Sequence, residues 1–346
     1  MSDQPRLLYS ILDLAPIRAG STAADAFRLA LDLAQHAERF GYHRYWLAEH
    51  HSMPGVASAA TSVVIGHVAG GTKTIRVGAG GIMLPNHAPL VIAEQFGTLE
   101  SLYPGRIDLG LGRAPGSDQL TANALRRRMG NTDDSFAADV RELQSYFKPA
   151  TNQQDVRAGG AVRAIPGEGL NVPLYILGSS DYGAMLAAKL GLPFAFASHF
   201  APDYLLIAMD LYRENFQPSE QLQHPHAMVG ANVFVADTDG EALRLFTSLQ
   251  QLFLNLIRGV PRQLAPPVEN IEWSPAEHAQ VDRMTQVSLV GSPITVRHQL
   301  ESLLAQSGAN EIIATAQIHD HAARVRSFEL AAAVFKDVNA IAPQRA

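Results

Sequence analysis

Polar side chains that could take part in chemistry come directly after short apolar runs. The first cluster is Glu49-His50-His51, which follows Tyr45-Trp46-Leu47-Ala48. Imidazoles and carboxylates transfer protons near neutral pH, and both can bind metal ions. Adjacent histidines at a strand end point in different directions, so binding of one metal ion by both is awkward. The pattern therefore favours a single histidine, His50, in acid–base or hydrogen-bond chemistry, and we expect no metal site.

A second cluster has the features of a phosphate site. Gly178-Ser179-Ser180 follows an apolar run and leads into a helix predicted to start near Asp181. Small residues and free N–H groups at a helix N-terminus bind phosphate. Arg113, which follows another apolar run, could supply the cation that phosphate prefers. The alternative is a turn that only caps its helix, and the arginine tips the interpretation towards phosphate.

Two glycine-rich stretches have several possible meanings. Gly80-Gly81 ends an apolar run, where a ligand ring could approach the backbone closely, although a simple bulge is the alternative. The stretch from Gly110 to Gly116 superficially matches a dinucleotide fingerprint. Its third glycine comes one position late and Ala114-Pro115 interrupts the helix start, so we give that match little weight.

The elements between these clusters predict the scaffold. Apolar runs near residues 8, 46, 80, 109, 175, 195, 232 and 314 read as strands, and segments with helical spacing separate them. Thr22 and Asp25 have the spacing of a helix start, and Gly41 stands where a helix would end. Eight alternating units predict a closed (β/α)₈ barrel, with an open doubly wound sheet as the alternative.

A barrel of this kind places its ligand site at the C-terminal ends of the strands. That rule brings together residues that are far apart in sequence. The residues selected are Glu49, His50, His51, Gly80, Gly81, Asn86, Gly112, Arg113, Gly178, Ser179, Ser180, His199, His319, Asp320 and His321.

The length of 346 residues fits one barrel domain spanning 1–346 with an insertion. The irregular part is 259–293, which contains Pro261, Pro266-Pro267, Trp273 and Pro275. We predict a lid or substrate-side insertion there, and a packing or dimer segment is the alternative.

Composition excludes several classes of protein. Charged residues make up 17% and hydrophobic residues 47%, which suits a large core and an apolar subunit interface. The net charge of −6 gives no electrostatic reason to expect nucleic acid or membrane as a partner. The chain has no cysteine, so thiolate chemistry and disulfides are excluded. The N-terminus lacks the pattern of a signal peptide, and we expect a cytoplasmic protein.

The assembled pattern resembles the bacterial luciferase-like family of flavin-dependent monooxygenases. Four pieces carry the resemblance across roughly the first two hundred residues. They are Trp46-Leu47-Ala48-Glu49-His50-His51, Val77-Gly78-Ala79-Gly80-Gly81-Ile82-Met83-Leu84-Pro85, Gly105-Arg106-Ile107-Asp108-Leu109-Gly110 and Leu177-Gly178-Ser179-Ser180. Within the family the chain is most similar to a branch of uncharacterised bacterial members that carry Gly-Arg-Ala-Pro-Gly and Leu-Gly-Ser-Ser.

The resemblance implies a dimeric (β/α)₈ barrel that binds FMN at the strand C-termini. Arg113, Ser179 and Ser180 would hold the flavin phosphate. Gly80-Gly81 would lie against the isoalloxazine ring, in family members often through a non-proline cis peptide. His50 would match the histidine that assists the reaction of the flavin with oxygen, with Glu49 in a supporting role. The resemblance adds further cofactor-binding residues near the phosphate, namely Leu177, Tyr182 and Gly183.

Two departures limit what the resemblance implies. The light-emitting members carry a reactive cysteine where this chain has Gly112, and an acidic residue where it has Ser179. We therefore do not expect light emission from a long-chain aldehyde. The sequence shows no recognisable nicotinamide site, so reduced FMN would come from a separate flavin reductase. The alternatives are a deazaflavin-dependent oxidoreductase, a non-catalytic flavin-binding protein and a metal-dependent barrel hydrolase.

Overall fold

Nine parallel strands form one sheet in the computed structural model, which describes residues 6–114, 119–125, 135–149 and 162–341. They are β1 (Leu8–Asp13), β2 (Arg44–Leu47), β3 (Arg76–Met83), β4 (Ile107–Gly112), β5 (Leu174–Gly178), β6 (Phe194–Phe196), β7 (Ala227–Val235), β8 (Ser288–Gly291) and β9 (Glu311–Thr315). The order β1-β2-β3-β4-β5-β6-β7-β9 closes back on β1. The fold is therefore a (β/α)₈ barrel, as the sequence predicts, and the open sheet is excluded.

Helices follow the strands and cover the outside of the barrel. They are α1 (Ala23–Phe40), α2 (Thr61–Gly70), α3 (Pro89–Leu102), α4 (Gln119–Leu125), α5 (Ser135–Phe147), α6 (Asp181–Leu190), α7 (Leu205–Glu214), α8 (Asp239–Ile257), α9 (Pro275–Met284), α10 (Pro293–Ser307) and α11 (His321–Ile341). Within the described ranges, no helix combines the length and apolar composition that a membrane span requires.

The strands of the ring are apolar because both of their faces are covered. All nine residues of β7 are buried, as expected for a parallel strand between a filled barrel interior and a layer of helices. Inside the barrel, Trp46 and Tyr175 pack edge to face with ring centroids 5.0 Å apart. The barrel is therefore a packed core, and a ligand must bind at one of its ends.

The segment 259–293 is more regular than the sequence analysis predicts. It contains α9 and the short strand β8, which pairs with the second half of β7 outside the ring. Leu264 N–H donates to Ile17 O at 3.0 Å, which attaches the segment to the loop after β1. Arg283 pairs with Asp203 at 2.7 Å, which attaches α9 to the loop after β6. Both contacts lie at the C-terminal end of the barrel, and a role as a lid stays a prediction.

A buried ion network occupies the opposite, N-terminal end of the barrel. Arg44, the first residue of β2, donates to Asp108 on β4 and to Glu311 on β9, each at 2.8 Å. Burial alone would raise the pKa of Glu311, but Arg44 and His226 outweigh it and lower the pKa to about 2. The charges are paired and hydrogen-bonded, which is what permits burial of ionised groups.

Candidate functional site

The C-terminal ends of the barrel strands, which we call the rim, carry the residues selected from the sequence. His50 follows β2, Arg113 follows β4 and His199 follows β6. Gly80 and Gly81 are an exception, since they lie inside β3, which continues to Met83. The prediction that this glycine pair ends its strand was therefore wrong by two residues. Pro115 and Gly116 of the Gly-Arg-Ala-Pro-Gly motif lie outside the described residues.

Glu49 is the most heavily bonded group at the rim. Its side chain is 1% exposed, and its carboxylate accepts hydrogen bonds from Met83 N–H at 2.9 Å and from Asn86 Nδ2 at 3.2 Å. His87 Nε2 lies 2.9 Å and His51 Nε2 2.7 Å from Glu49 Oε1. Burial raises the pKa of Glu49, but hydrogen bonds from His87, His51 and Met83 outweigh it and leave the pKa lowered. Glu49 is thus an ionised anchor between β2 and the loop after β3.

The two adjacent histidines have different surroundings. His51 contacts Glu49, whereas the charge of His50 acts on His199, which follows β6. This divergence is what a strand end imposes on neighbouring side chains. Among the described residues, no group of three or more histidine, aspartate or glutamate side chains has the arrangement of a metal site. His50 and His51 therefore have different environments, and a role of His50 in catalysis stays a prediction.

The Gly80–Gly81 peptide bond is cis, as the resemblance implied. A Cβ at residue 80 would lie 2.8 Å from a Leu12 methyl carbon and 2.9 Å from the Trp46 ring. A Cβ at residue 81 would lie 2.7 Å from the carbonyl oxygen of Gly110 on β4. The pairing of β3 with β4 shifts register at this point, so the bulge is also present. Packing within the barrel alone therefore requires both glycines, and contact with a ligand ring stays a prediction.

Apolar side chains form the floor of the barrel mouth. A cluster inside the barrel contains Leu12, Trp46, Ala48, Tyr175, Ala195, Met228 and Ile313. Leu14 and Leu177 are partly buried against it, on the side of the rim. A flat aromatic ring could lie on such a floor without leaving buried polar groups unpaired.

The candidate phosphate site is assembled from β4, β5 and α6. The Arg113 guanidinium lies over the Tyr182 ring, with Cζ 4.3 Å from the ring centroid. Tyr182 is in the first turn of α6, so this stacking holds a cation at the N-terminus of that helix. Ser179 and Ser180 are half-buried beside it, and Ser180 is the N-cap residue. The sequence analysis placed the start of α6 correctly.

Small residues allow α6 to approach the end of β5. A Cβ at Gly183 would lie 3.4 Å from the Gly178 Cα and 3.2 Å from the Phe194 ring. Asp181 is exposed, and its carboxylate accepts the Tyr182 N–H at 2.8 Å. A phosphate at this helix end would compete with Asp181 for that N–H. The Arg113 guanidinium and the dipole of α6 favour binding of a phosphate here, whereas the negative charge of Asp181 disfavours it.

Gly112, at the end of β4, lies against Met83 on β3. A Cβ at this position would lie 2.7 Å from Met83 Sδ, and the flexible thioether would have to shift. The expectation of no light emission stays a prediction.

The fold is that of a (β/α)₈ protein. Its rim combines histidines, an apolar floor and a helix N-terminus with a cation beside it, and such a site would suit a phosphorylated aromatic ligand. A family model described as luciferase-like monooxygenase matches residues 9–311. A protein of Escherichia coli named luciferase-like monooxygenase is 57% identical over 328 residues, which cover 94% of this chain and 96% of that protein. The chain belongs to the luciferase-like monooxygenase family.

Solved structures agree with this assignment. The crystal structure of apo-MsnO8 has a TM-score of 0.84 with 33% identity, covering 96% of this chain and 99% of that one. The oxygenating constituent of 3,6-diketocamphane monooxygenase, in complex with FMN, has a TM-score of 0.68 with 20% identity, over 94% and 97% of the two chains. An F420-dependent secondary alcohol dehydrogenase has a TM-score of 0.67 with 15% identity over 94% and 97%. The last two share the fold alone.

Proposed function

We propose that this protein is an FMN-dependent monooxygenase that uses reduced FMN and dioxygen to oxidise a small organic substrate. The observation that carries the proposal is the stacking of Arg113 on Tyr182, which places a guanidinium at the N-terminus of α6 beside Ser179 and Ser180. A helix N-terminus and a cation together suit the phosphate of FMN. The family assignment supports the same chemistry.

The protein's own residues would bind and orient the cofactor. Arg113, Ser179 and Ser180 would hold the phosphate, and the apolar floor at Leu14 and Leu177 would receive the ring. Reduced FMN supplies the reaction with dioxygen when it is bound. His50 would hold or move a proton at the rim. Its strand is anchored through Glu49, whose carboxylate ties β2 to the loop after β3. Apolar walls and the 259–293 segment would exclude water.

The proposal includes two partners. The reduced flavin would come from a separate reductase. A second copy of this chain would cover α2 and α3, because their outer faces carry exposed Val63, Val91 and Leu102. The outer face of α2 carries no charged side chain apart from any charge on His67, which is more typical of an interface than of a solvated helix.

The first experiment is a titration of the protein with FMN, followed by flavin fluorescence, and repeated with anaerobic reduced FMN. We expect saturable binding with a Kd at or below tens of micromolar, on the order of 7 kcal/mol of binding free energy. No binding in that range by either redox form would contradict the proposal. A parallel titration with F420 tests the deazaflavin alternative, which requires F420 to bind more tightly than FMN.

The second step separates an enzyme from a flavin-binding protein. With NADH, an added flavin reductase and candidate substrates, a monooxygenase incorporates oxygen into a product, whereas a storage protein only slows reoxidation of the flavin. His50→Ala should keep flavin binding and change the stopped-flow trace for reoxidation of bound reduced FMN by dioxygen. An unchanged trace would remove His50 from the mechanism.

A further inference from the structure

His199, which the sequence analysis selected for the ligand site without a specific role, lies on a loop at the rim that several hydrogen bonds hold in place. Its carbonyl oxygen accepts a hydrogen bond from Asn232 Nδ2 at 2.7 Å, and the same amide lies 3.1 Å from Ser288 Oγ. The neighbouring Ser198 hydroxyl donates to Gly230 O at 2.7 Å. These contacts fix the loop after β6 onto β7. A side chain on such a loop has a well-defined position.

One edge of the His199 ring is packed against β7. Nδ1 is buried and has no hydrogen-bond partner among the described residues. A Cβ at Gly230 would lie only 2.6 Å from Nδ1, so the glycine makes room for this edge of the ring. An unpaired N–H at such a place would be costly, whereas an unpaired lone pair costs less. The proton of the neutral ring therefore belongs on Nε2.

The other edge of the ring carries Nε2. His199 is half-buried, and Nδ1 is the ring nitrogen found buried without a partner, so we infer that the remaining exposure includes Nε2. Burial, together with the charge of His50, lowers the pKa of His199 to about 4. The ring is thus neutral at physiological pH and can donate one hydrogen bond from Nε2.

His50 and His199 approach the barrel mouth from opposite sides. In the ring order β1-β2-β3-β4-β5-β6-β7-β9, the strands β2 and β6 lie four positions apart, which is half of an eight-stranded ring. Both residues follow strands of the same ring at its C-terminal end, and the charge of His50 contributes to the lowered pKa of His199. A ligand that lies over the mouth would therefore lie between the two loops that carry them.

We propose that His199 binds the flavin ring, with its Nε2–H donating a hydrogen bond to an uncharged acceptor of the isoalloxazine, a carbonyl oxygen or a ring nitrogen. This inference rests on the proposed function. A neutral donor suits an uncharged acceptor, and the charged phosphate already has Arg113. The contact would orient the ring between His199 and His50, and it would not depend on the phosphate.

The binding test compares FMN with riboflavin, which has the same ring without the phosphate. His199→Ala should weaken both ligands equally, by about 3- to 10-fold, the loss expected for one neutral hydrogen bond. His199→Gln, whose amide nitrogen can reach the Nε2 position, should restore most of the affinity. Gly230→Ala should reproduce the loss, because its methyl group displaces the ring. His298→Ala, on an exposed histidine of α10, is the control and should change nothing.

Two results would overturn the proposal while leaving FMN binding intact. One is wild-type affinity for both ligands in His199→Ala and Gly230→Ala. The second test uses the protein without ligand and measures nitrogen-15 NMR of the histidine rings. The proposal requires His199 to be a neutral Nε2–H tautomer at pH 7. A charged ring or an Nδ1–H tautomer would contradict the geometry. If the wild type binds neither FMN nor riboflavin, the proposed function fails first and this contact fails with it.

Discussion

At the scale of single residues, Arg113 and Glu49 show how differently two predicted site residues can be used. Arg113 is exposed, and its guanidinium stacks on the Tyr182 ring. Glu49 is buried, and both of its oxygens accept hydrogen bonds from protein groups. The structure thus gives Glu49 the position of a structural anchor, and its supporting role beside His50 stays a prediction. Direct participation in chemistry would require those bonds to be broken.

The prediction at this scale concerns the phosphate. Arg113→Ala should weaken FMN by about 30-fold or more, because a charged hydrogen bond contributes more than a neutral one. Riboflavin, which lacks the phosphate, should bind almost as it does to the wild type. Isothermal titration or fluorescence titration of both ligands measures the difference.

The control for that experiment is Arg244→Ala, which removes an exposed arginine on α8, far along the chain from the candidate site. Its affinity for both ligands should equal that of the wild type. Equal losses of FMN and riboflavin in Arg113→Ala would assign Arg113 to the ring or to packing of α6, and the phosphate role would have to be abandoned.

At the scale of elements, the two ends of the barrel strands carry different groups of side chains. The C-terminal ends carry the candidate site, and the N-terminal ends of β2, β4 and β9 carry the ion network of Arg44, Asp108 and Glu311. None of these three side chains has a proposed role in ligand binding or catalysis. We therefore expect the network to contribute to the stability of the fold, and we expect this contribution to decrease at acidic pH.

Glu311→Gln tests this contribution. The folded-state pKa of about 2 lies below the ordinary value of 4.5, so the stabilisation is complete above about pH 4.5 and is lost as the pH falls towards 2. We expect a loss on the order of 3 kcal/mol in the free energy of unfolding at pH 7. Urea unfolding of both proteins at pH 7 and pH 3 measures it.

The difference between wild type and Glu311→Gln should shrink by more than half at pH 3, because the wild type has by then lost most of this contribution. Other carboxylates titrate in both proteins and cancel in the comparison. A difference that stays constant between the two pH values would show that the substitution acts through packing, and that the ion pair with Arg44 does not stabilise the fold.

At the scale of the whole molecule, the outer layer of helices is uneven. Val63 on α2 is 71% exposed and Leu102 on α3 is 62% exposed, although both helices pack their inner faces on the barrel. Ile294 at the start of α10 is 73% exposed as well, but α10 also carries Arg297 and Glu301 on its surface. α2 carries no charged side chain apart from any charge on His67, and on α3 the one charged side chain that is not buried is Glu94, so we place the partner subunit on these two helices.

If the proposed dimer forms, Val63→Arg should convert it into a monomer, because a buried unpaired charge at an interface costs several kcal/mol. Light scattering coupled to size-exclusion chromatography gives the molar mass directly. Ile294→Arg, the same change at an equally exposed residue on α10, should leave the dimer intact. A wild-type monomer, or a Val63→Arg protein that remains dimeric, would exclude this interface.

The sequence by itself determined the features that depend on local interactions. The capping box of Thr22 and Asp25 is present, and Gly41 ends α1 with a φ of 85°, because caps involve residues only a few positions apart. The eight ring strands follow from apolar runs of the right length, and α6 begins at Asp181, where the pattern placed it. Alternation of strand and helix then leaves few possible folds.

The tertiary structure decided what depends on distant partners. β8 has four residues and α9 buries only Val281, so neither had a periodic signal. Their contacts with β7 and Asp203 define them. The donors to Glu49 from Met83, Asn86 and His87 come 34 to 38 residues later in the chain. His199 and His50 lie at the same barrel mouth only because the ring of strands closes. Closure of the ring is a long-range event, and local patterns do not encode which side chains it brings together.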